Sequence, residues 1–441
     1  MFIETTNSKG RCLVATTHIA RGSVVASEVP VAASPSPGHC SFCYGSNASK
    51  VCTGCRLASF CSVACQRSNW PSHKGLCRQL KAGASIPRSL QPLFALFVAV
   101  VDHSSIAVTV DALAADRSRF DSTTIEAFGR MVVARQAALA SNAPHPVDSS
   151  STTNPGDAGR QINLLCKISC NAVGISHPST FEDCGVALFP ETIAKANHSC
   201  VPNCTLLFDL PSASARLIAL QDITPDTELT ISYIDAADPF PIRQKDLQSR
   251  PTCKGFFQYN PPTIPAPTPC TCCKSTSNPI QPIQTLTSLS KQCTPKDTDP
   301  SNLSHLLTLQ TRLLSPNSPL TLQTRQRLYS IHLSSANWQS ALLLCNEIAC
   351  TLESIYPPLS PSLGLQYLSL CRLALLVAQD LHPSMYPAIL KDANTLMGVA
   401  EKAHVVFSTV LGDSHLLTLE AKEKRYELGA FYAAFGVRTG K

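Results

Sequence analysis

The last third of the chain shows the apolar periodicity of amphipathic helices, in which one face of each helix is apolar. The pattern predicts helices near 301–315, 321–334, 337–354, 362–380, 386–410 and 413–436. Helices of this kind can stack into a curved array or pack as a generic bundle. Periodicity alone leaves both arrangements open.

Two other patterns occur earlier in the chain. Residues from 82 to about 140 are rich in Ala and Leu with helical periodicity, and the polar stretch 141–160 indicates a flexible loop. Apolar and polar residues alternate in DTELTISYID, at 226–235, as in a half-buried strand. The longest apolar run, at 93–101, is far shorter than the roughly twenty residues of a membrane span. It predicts a buried helix and no membrane contact.

Composition restricts the classes of protein that fit. A chain of 441 residues with 44% hydrophobic content can form two to four domains. The net charge of +6 is modest for this length, so a strongly electrostatic nucleic-acid binder is not indicated, and nucleic-acid contact stays open. The N-terminus has no apolar signal segment, so the 21 cysteines favour metal ligation or free thiols over disulfides.

Eight potential metal ligands lie within a short stretch near the N-terminus. They form two C-x2-C pairs, which can close on one ion, and two pairs at i, i+4 spacing, which share one face of a helical turn. The eight residues are Cys40, Cys43, Cys52, Cys55, Cys61, Cys65, His73 and Cys77. Two tetrahedral sites need eight ligands and leave no open position, so the pattern predicts two structural zinc sites.

This stretch closely resembles the MYND zinc finger, with every ligand matched. The resemblance implies interleaved pairs: one ion held by Cys40, Cys43, Cys61 and Cys65, the other by Cys52, Cys55, His73 and Cys77. It also implies a protein-binding module that favours proline-rich peptides. A finger that only braces the fold is the alternative, because zinc contributes folding energy without any partner.

A second group of motifs lies downstream. NHSCVPNC begins at Asn197, after the helix-compatible stretch FPETIAKA, and SYID begins at Ser232. Either fragment alone is more often part of a core. Together they resemble the SET domain of protein-lysine methyltransferases, and the MYND finger narrows the resemblance to the SMYD family. Matching segments are SKGRCLVATTHIARGSVV, CNAVGI, GVALFP, SSANWQSALLLC and LGDSHLLTLEAK.

The resemblance implies an α+β chain with a β-rich SET fold, an inserted finger, a helical insert and an all-α C-terminal lobe. The expected parts are the N-terminal SET part (1–37), the MYND finger (38–77), the helical SET insert and loop (78–160), the SET core (161–240), the post-SET segment with a Pro-rich insertion (241–275) and a C-terminal tetratricopeptide-like lobe (276–441). The lobe is expected to face the SET domain across a peptide-binding cleft.

The resemblance also implies the reaction and its residues. Methyl transfer from S-adenosylmethionine to lysine needs alignment, a desolvated amine and loss of a proton, and no dedicated strong base. Tyr233 is the expected catalytic residue. The expected cofactor-binding residues are Lys9, Arg11, Asn171, Asn197 and His198, and a third, post-SET zinc is expected at Cys200, Cys270, Cys272 and Cys273, with Cys253 as the alternative last ligand.

Three features depart from the family pattern. Cys12 replaces a glycine, and its side chain crowds the cofactor if the position needs glycine's backbone freedom. The insertion at 251–269 interrupts the post-SET segment, and the second active-site tyrosine is not identified, with Phe256, Phe257 and Tyr259 as candidates. They support a rival hypothesis, a catalytically weak scaffold acting through its finger and helical lobe. The methyltransferase hypothesis implies a monomer in nucleus and cytoplasm that acts on lysine in histone or other proteins.

Overall fold

The structure is a computed structural model that describes residues 2–7, 10–82, 85–140, 155–249, 299–314 and 317–434. Its strands are β1 (Phe2–Asn7), β2 (Gly10–Ala15), β3 (Val24–Glu28), β4 (Ala32–Pro35), β5 (Lys50–Val51), β6 (Ser59–Phe60), β7 (Ala172–Ser176), β8 (Asp183–Leu188), β9 (Asn197–His198), β10 (Cys204–Asp209), β11 (Ser214–Ala219) and β12 (Thr230–Ile231).

Its α-helices are α1 (Val63–Ala82), α2 (Gln91–Val101), α3 (Ser104–Asp111), α4 (Ser122–Ala140), α5 (Pro155–Asn171), α6 (Phe240–Ser249), α7 (Pro300–Leu313), α8 (Pro319–Ser334), α9 (Trp338–Glu353), α10 (Pro361–Asp380), α11 (Ala388–Lys391), α12 (Ala393–Leu411) and α13 (Leu416–Ala434).

Small sheets form the central part of the molecule. β1 and β2 make an antiparallel hairpin, β3 joins the antiparallel pair β10–β11, and β8 lies between β4 and β7. The strands are short, so the sheets pack as separate pieces around two apolar clusters instead of one continuous layer. The mixed α and β class with a C-terminal helical region, predicted from the sequence, is confirmed.

Helices α2 to α5 pack around one apolar cluster, to which Ala32 of β4 and Leu188 of β8 also belong. These helices, called the insert below, lie in the stretch expected as the helical insert, 78–160, except that α5 continues to Asn171. Polar contacts join this insert to the finger helix α1. The Gln79 side chain and the Arg135 guanidinium both donate to the carboxylate of Asp102. The Gln79 bond joins α1 to the insert, and the Arg135 bond, within the insert, holds the shared Asp102 carboxylate in place; Gln79 and Arg135 are both buried.

The C-terminal helices pack consecutively around a large apolar core. One part of the prediction was wrong: the helix expected at 386–410 is interrupted. Pro387 precedes the short helix α11, and Asp392 then caps α12 by accepting the backbone N–H of Thr395 at 3.1 Å. A proline at a helix start and a new N-cap both oppose a continuous helix.

Two further predicted elements differ in length. FPETIAKA contains a single 3-10 turn, Ile193–Lys195, and the strand expected across 226–235 pairs over Thr230–Ile231, with an isolated bridge between Val14 and Glu228.

Helix α10 has the length and apolarity of a membrane span. Since 61% of its most apolar window is buried within the protein, it has the environment of a core helix.

The finger packs against the sheet at Gly185 of β8. A Cβ atom at Gly185 would lie 2.7 Å from the backbone oxygen of Ser34 and 2.8 Å from a ring carbon of Tyr44. Gly174 of the paired strand β7 is a matched control, because its nearest contact to an added Cβ is 3.8 Å away.

We expect Gly185→Ala to destabilise the protein by about 1–3 kcal/mol, because a backbone carbonyl cannot move aside as a side chain can. The thermal unfolding midpoint should fall below those of the wild type and of Gly174→Ala. Equal midpoints for the two variants would contradict this packing.

Candidate functional site: a cavity beside two paired strands

Two short strands pair beside the main cavity. Strand β9 runs parallel to β12, with Asn197 opposite Thr230 and His198 opposite Ile231. The buried side chain of Asn203 stabilises this pairing. Its oxygen accepts the Thr230 backbone N–H at 2.8 Å, and its nitrogen donates to the Glu228 carbonyl at 2.8 Å. Segments about thirty residues apart are thereby held side by side.

The cavity has a volume of about 1040 Å³. Every predicted catalytic or cofactor-binding residue within the described part of the chain lines it, namely Arg11, Asn171, Asn197, His198 and Tyr233. Lys9 lies outside the described residues. Three parts of the fold therefore meet at this cavity: the N-terminal hairpin, the end of α5 and the paired strands β9 and β12.

Tyr233 is held in the cavity wall by its own backbone and by its hydroxyl. The hydroxyl donates to the carbonyl of Ala196 at 2.7 Å, and the backbone N–H donates to Nδ1 of the buried His198 at 3.0 Å. The centroids of the Tyr233 and His198 rings are 5.4 Å apart. Because Nδ1 accepts this bond, the neutral imidazole carries its proton on Nε2.

The predicted asparagines connect the cavity walls. The Asn197 amide nitrogen donates to the Glu228 carboxylate at 2.8 Å and to the Arg11 carbonyl at 3.2 Å. That of Asn171 donates to the carbonyls of Ala114 at 3.0 Å and Lys167 at 2.8 Å. These bonds show that both side chains hold the cavity wall together, and their contact with a cofactor stays a prediction.

Cys12 does not crowd the cavity. It is fully buried on β2 and is not among the lining residues, whereas its neighbour Arg11 lines the cavity. Successive side chains of a strand point to opposite faces, so the replaced glycine position faces the core. The Cys12 side chain therefore lies in the core and outside the cavity wall.

The far wall comes from the turn between α9 and α10 and from the start of α10. Tyr356, Pro357 and residues 360–362 line the cavity, and the Tyr356 hydroxyl donates to the carboxylate of Asp235, two residues after Tyr233. Phe181 adds a second aromatic side chain. Sequence reasoning missed both, because neither lies in a motif and both reach the cavity by folding from distant parts of the chain.

The eight finger residues form two clusters away from this cavity. Cys40, Cys43, Cys61 and Cys65 form one, and Cys52, Cys55, His73 and Cys77 form the other, with the ligand atoms of each cluster within 4.8 Å of one another. This is the grouping that the MYND resemblance implied.

The distances inside the clusters fit zinc. Cys43 and Cys61 sulfurs are 3.6 Å apart, and Nε2 of His73 is 3.4 Å from the Cys52 sulfur. A tetrahedral ion with Zn–S bonds of about 2.3 Å places its sulfurs about 3.8 Å apart. All four positions of each cluster are protein ligands, so these are closed structural sites.

Ionisation in the clusters reflects their crowding. Burial raises the pKa of Cys43 and Cys77 to about 12, whereas hydrogen bonds outweigh burial at Cys40 and lower its pKa to about 7. Burial also lowers the pKa of His73, which favours the neutral imidazole that binds metals. Neighbouring thiolates oppose one another's charge, an arrangement that a divalent cation stabilises.

The post-SET zinc site stays a prediction. Cys200 lies 3.5 Å from Nε2 of His198 and 3.5 Å from the guanidinium of the buried Arg243. Its expected partners Cys270, Cys272 and Cys273, and the alternative Cys253, lie outside the described residues.

A SET domain model matches residues 10–234, more than half of the chain, so the chain belongs to the SET-domain family. Its relatives include histone-lysine N-methyltransferase ASHR1 of Arabidopsis thaliana, 24% identical over 421 residues that cover 81% of this chain and 83% of the plant protein. The finger, the SET match and these relatives confirm the class predicted from the sequence, a SMYD-type lysine methyltransferase.

Two further relatives match over a shorter part. The SET domain and MYND-type zinc finger protein 6 of Schizosaccharomyces pombe is 29% identical over 44% of this chain and 37% of its own length. Human histone-lysine N-methyltransferase SMYD3 is 29% identical over 45% of this chain and 46% of its own. These matches span less than half of either relative.

We expect Cys55→Ser to bind one zinc ion fewer per chain than the wild type, since it removes a ligand from a closed four-ligand site. Cys350→Ser, which alters an exposed cysteine of α9, is the control and should keep the full content. Elemental analysis of the purified proteins measures both. Equal zinc content in the two variants would contradict the assignment.

Proposed function

We propose that this protein is an S-adenosylmethionine-dependent protein-lysine N-methyltransferase whose reaction takes place beside Tyr233. The observation that carries the proposal is the convergence of Arg11, Asn171, Asn197, His198 and Tyr233 on one cavity. The bound cofactor supplies an electrophilic methyl group on a sulfonium cation. The volume of the cavity and its mixed polar and apolar wall fit a ligand of that size.

The residues of the chain hold and orient the two reactants. Asn197 and His198 stand on the locked strand β9, and Arg11 on β2, so their positions are fixed before any ligand binds. Alignment of two bound reactants lowers a barrier by up to about 7–11 kcal/mol. Holding the reactants in line with a rigid wall is therefore the main contribution of the fold to the rate of methyl transfer.

Tyr233 orients the incoming amine. Its hydroxyl lies in the cavity wall 2.7 Å from the Ala196 carbonyl, so a phenol oxygen and a carbonyl oxygen are presented side by side. Oxygens in this arrangement accept weak C–H hydrogen bonds and the N–H bonds of an uncharged amine. Apolar surroundings at the same place favour loss of the lysine proton.

The substrate side of the cavity lies between the SET domain and the C-terminal helices. Tyr356, Pro357 and residues 360–362 line it together with Ile234, Asp235 and Ala236. We assign this half to the lysine-bearing segment of a protein substrate, either a histone or another protein. Relatives named histone-lysine N-methyltransferase, and one named N-lysine methyltransferase, support both choices. Action in nucleus and cytoplasm and a monomeric state are part of the same proposal.

The MYND finger is proposed as a docking module with a bracing role. Tyr44 and the contacts of Gln79 attach it to the fold, whereas Trp70 on α1 is 51% exposed. An exposed tryptophan on a fixed module suits a proline-rich peptide, which docks on aromatic surfaces. The tetratricopeptide-like stacking of α7 to α13 is a further proposal, supported by their consecutive packing.

The rival function, a scaffold without catalysis, had three supports in the sequence. The position of Cys12 removes one of them, because its side chain lies in the core and outside the cavity wall. The other two supports are the insertion at 251–269 and the unidentified second tyrosine, and both concern the part of the post-SET segment beyond Ser249, outside the described residues.

We expect Tyr233→Phe to lower the rate of methyl transfer at least roughly 100-fold, the usual loss when one positioned polar group is removed from a reaction site. Cofactor affinity should stay within about twofold, because the phenol orients the amine. Transfer of labelled methyl groups to protein and calorimetric cofactor titration give the two values. Tyr426→Phe, at an exposed position of α13, is the control. Wild-type rates in Tyr233→Phe would rule out this role.

A further inference from the structure

A buried carboxylate outside the cavity holds the turn that leads into the site. Glu28, at the end of β3, is 8% exposed. One of its oxygens accepts the backbone N–H of Glu191 at 2.8 Å, and the other accepts those of Thr192 at 2.9 Å and Ile193 at 2.8 Å. One side chain thereby satisfies three consecutive amide groups that lie about 160 residues further along the chain.

These amides begin the 3-10 turn Ile193–Lys195, which continues directly into Ala196 and strand β9. The Ala196 carbonyl accepts the Tyr233 hydroxyl, and the next two residues are Asn197 and His198. The carboxylate therefore fixes the start of the segment that carries the tyrosine's partner and two cavity residues. Ile193 and Ala196 are both buried, so their backbone polar groups have little access to water as an alternative partner.

We infer that Glu28 is a positioning residue for the methyl-transfer site, acting through the turn Glu191–Ile193 on the Ala196 carbonyl and on Asn197. The inference rests on the proposed function. Glu28 is not among the residues that line the cavity, so it reaches the reactants only through this segment.

The chemistry requires a carboxylate at this position. Two oxygens that both accept can satisfy three N–H donors, and hydrogen bonds to an ionised acceptor are about twice as strong as neutral ones. A glutamine of the same shape offers one oxygen and one NH2 group, and that NH2 group would face backbone N–H donors. Glu28→Gln therefore breaks at least one of the three bonds without changing the volume of the side chain.

Glu191→Gln is the matched control. It makes the same chemical change in the same turn, but the Glu191 side chain is exposed and only its backbone N–H contacts Glu28. Both variants and the wild type are compared as full-length chains. Hydrogen exchange is followed in peptides covering 190–199 and, as a remote reference, in peptides of α12.

We expect exchange in 190–199 to accelerate at least tenfold in Glu28→Gln, with no change in α12 and none in Glu191→Gln. The dissociation constant for S-adenosylmethionine should rise about tenfold in Glu28→Gln alone. The loss of methyl-transfer rate caused by Tyr233→Phe should also shrink when Glu28→Gln is present, because the Ala196 carbonyl is then displaced in both proteins.

Exchange in 190–199 equal to that of Glu191→Gln would overturn the inference. So would faster exchange with unchanged cofactor affinity, because Glu28 would then have a purely structural role. If α12 also exchanges faster, or Glu28→Gln does not fold, the same readouts on Glu28→Asp decide: this variant keeps the charge and should lie between Glu28→Gln and the wild type, and a wild-type result for it would count against the inference.

The outcome for Glu28 is separable from that for the proposed function. A wild-type protein that binds the cofactor but methylates no lysine would end the proposed function, while exchange and cofactor affinity would still decide the role of Glu28. A wild-type protein without cofactor binding would end both.

Discussion

The parallel pairing of Asn197–His198 with Thr230–Ile231 is the constraint on which the rest of the site depends. It places Tyr233 and two other cavity-lining residues on adjacent segments that are far apart in the chain. The pairing spans two residues on each strand, so ladder bonds alone hold it weakly. Asn203, five residues after His198, compensates: its buried amide bonds the backbone of Glu228 and Thr230 and would leave unsatisfied backbone groups if it were removed.

The parts of the molecule outside the SET sheets differ in how they serve the cavity. The helical insert contributes Asn171 at the end of α5, and the C-terminal helices contribute Tyr356, so both are parts of the wall. The C-terminal lobe packs tightly against the N-terminal part of the SET domain at Gly22, which has a φ of +80°. A Cβ atom on Gly22 would lie 2.5 Å from the methyl group of Thr409. None of the eight finger ligands lines the cavity, and the finger packs against the sheet through Tyr44.

The sequence predicted those features whose signal is local. Ligand spacing predicted two closed metal sites, and helical periodicity predicted most helices of the last third within a few residues. Periodicity failed at 386–410, because apolar residues continue through Pro387 and Asp392 although the backbone cannot. Glu28 and Tyr356 carried no signal: Glu28 has its partners at residues 191–193, and Tyr356 has its partner at Asp235. Contacts of this kind depend on the whole fold and are not encoded by any short pattern.

The most direct test of the central claim is a crystal structure with S-adenosylhomocysteine, the demethylated product of the cofactor. The account predicts the nucleoside bound in the cavity in contact with Asn197 and His198, and the sulfur atom directed toward the Tyr233 hydroxyl. A nucleoside bound elsewhere on the protein, or a sulfur atom directed away from that hydroxyl, would contradict it.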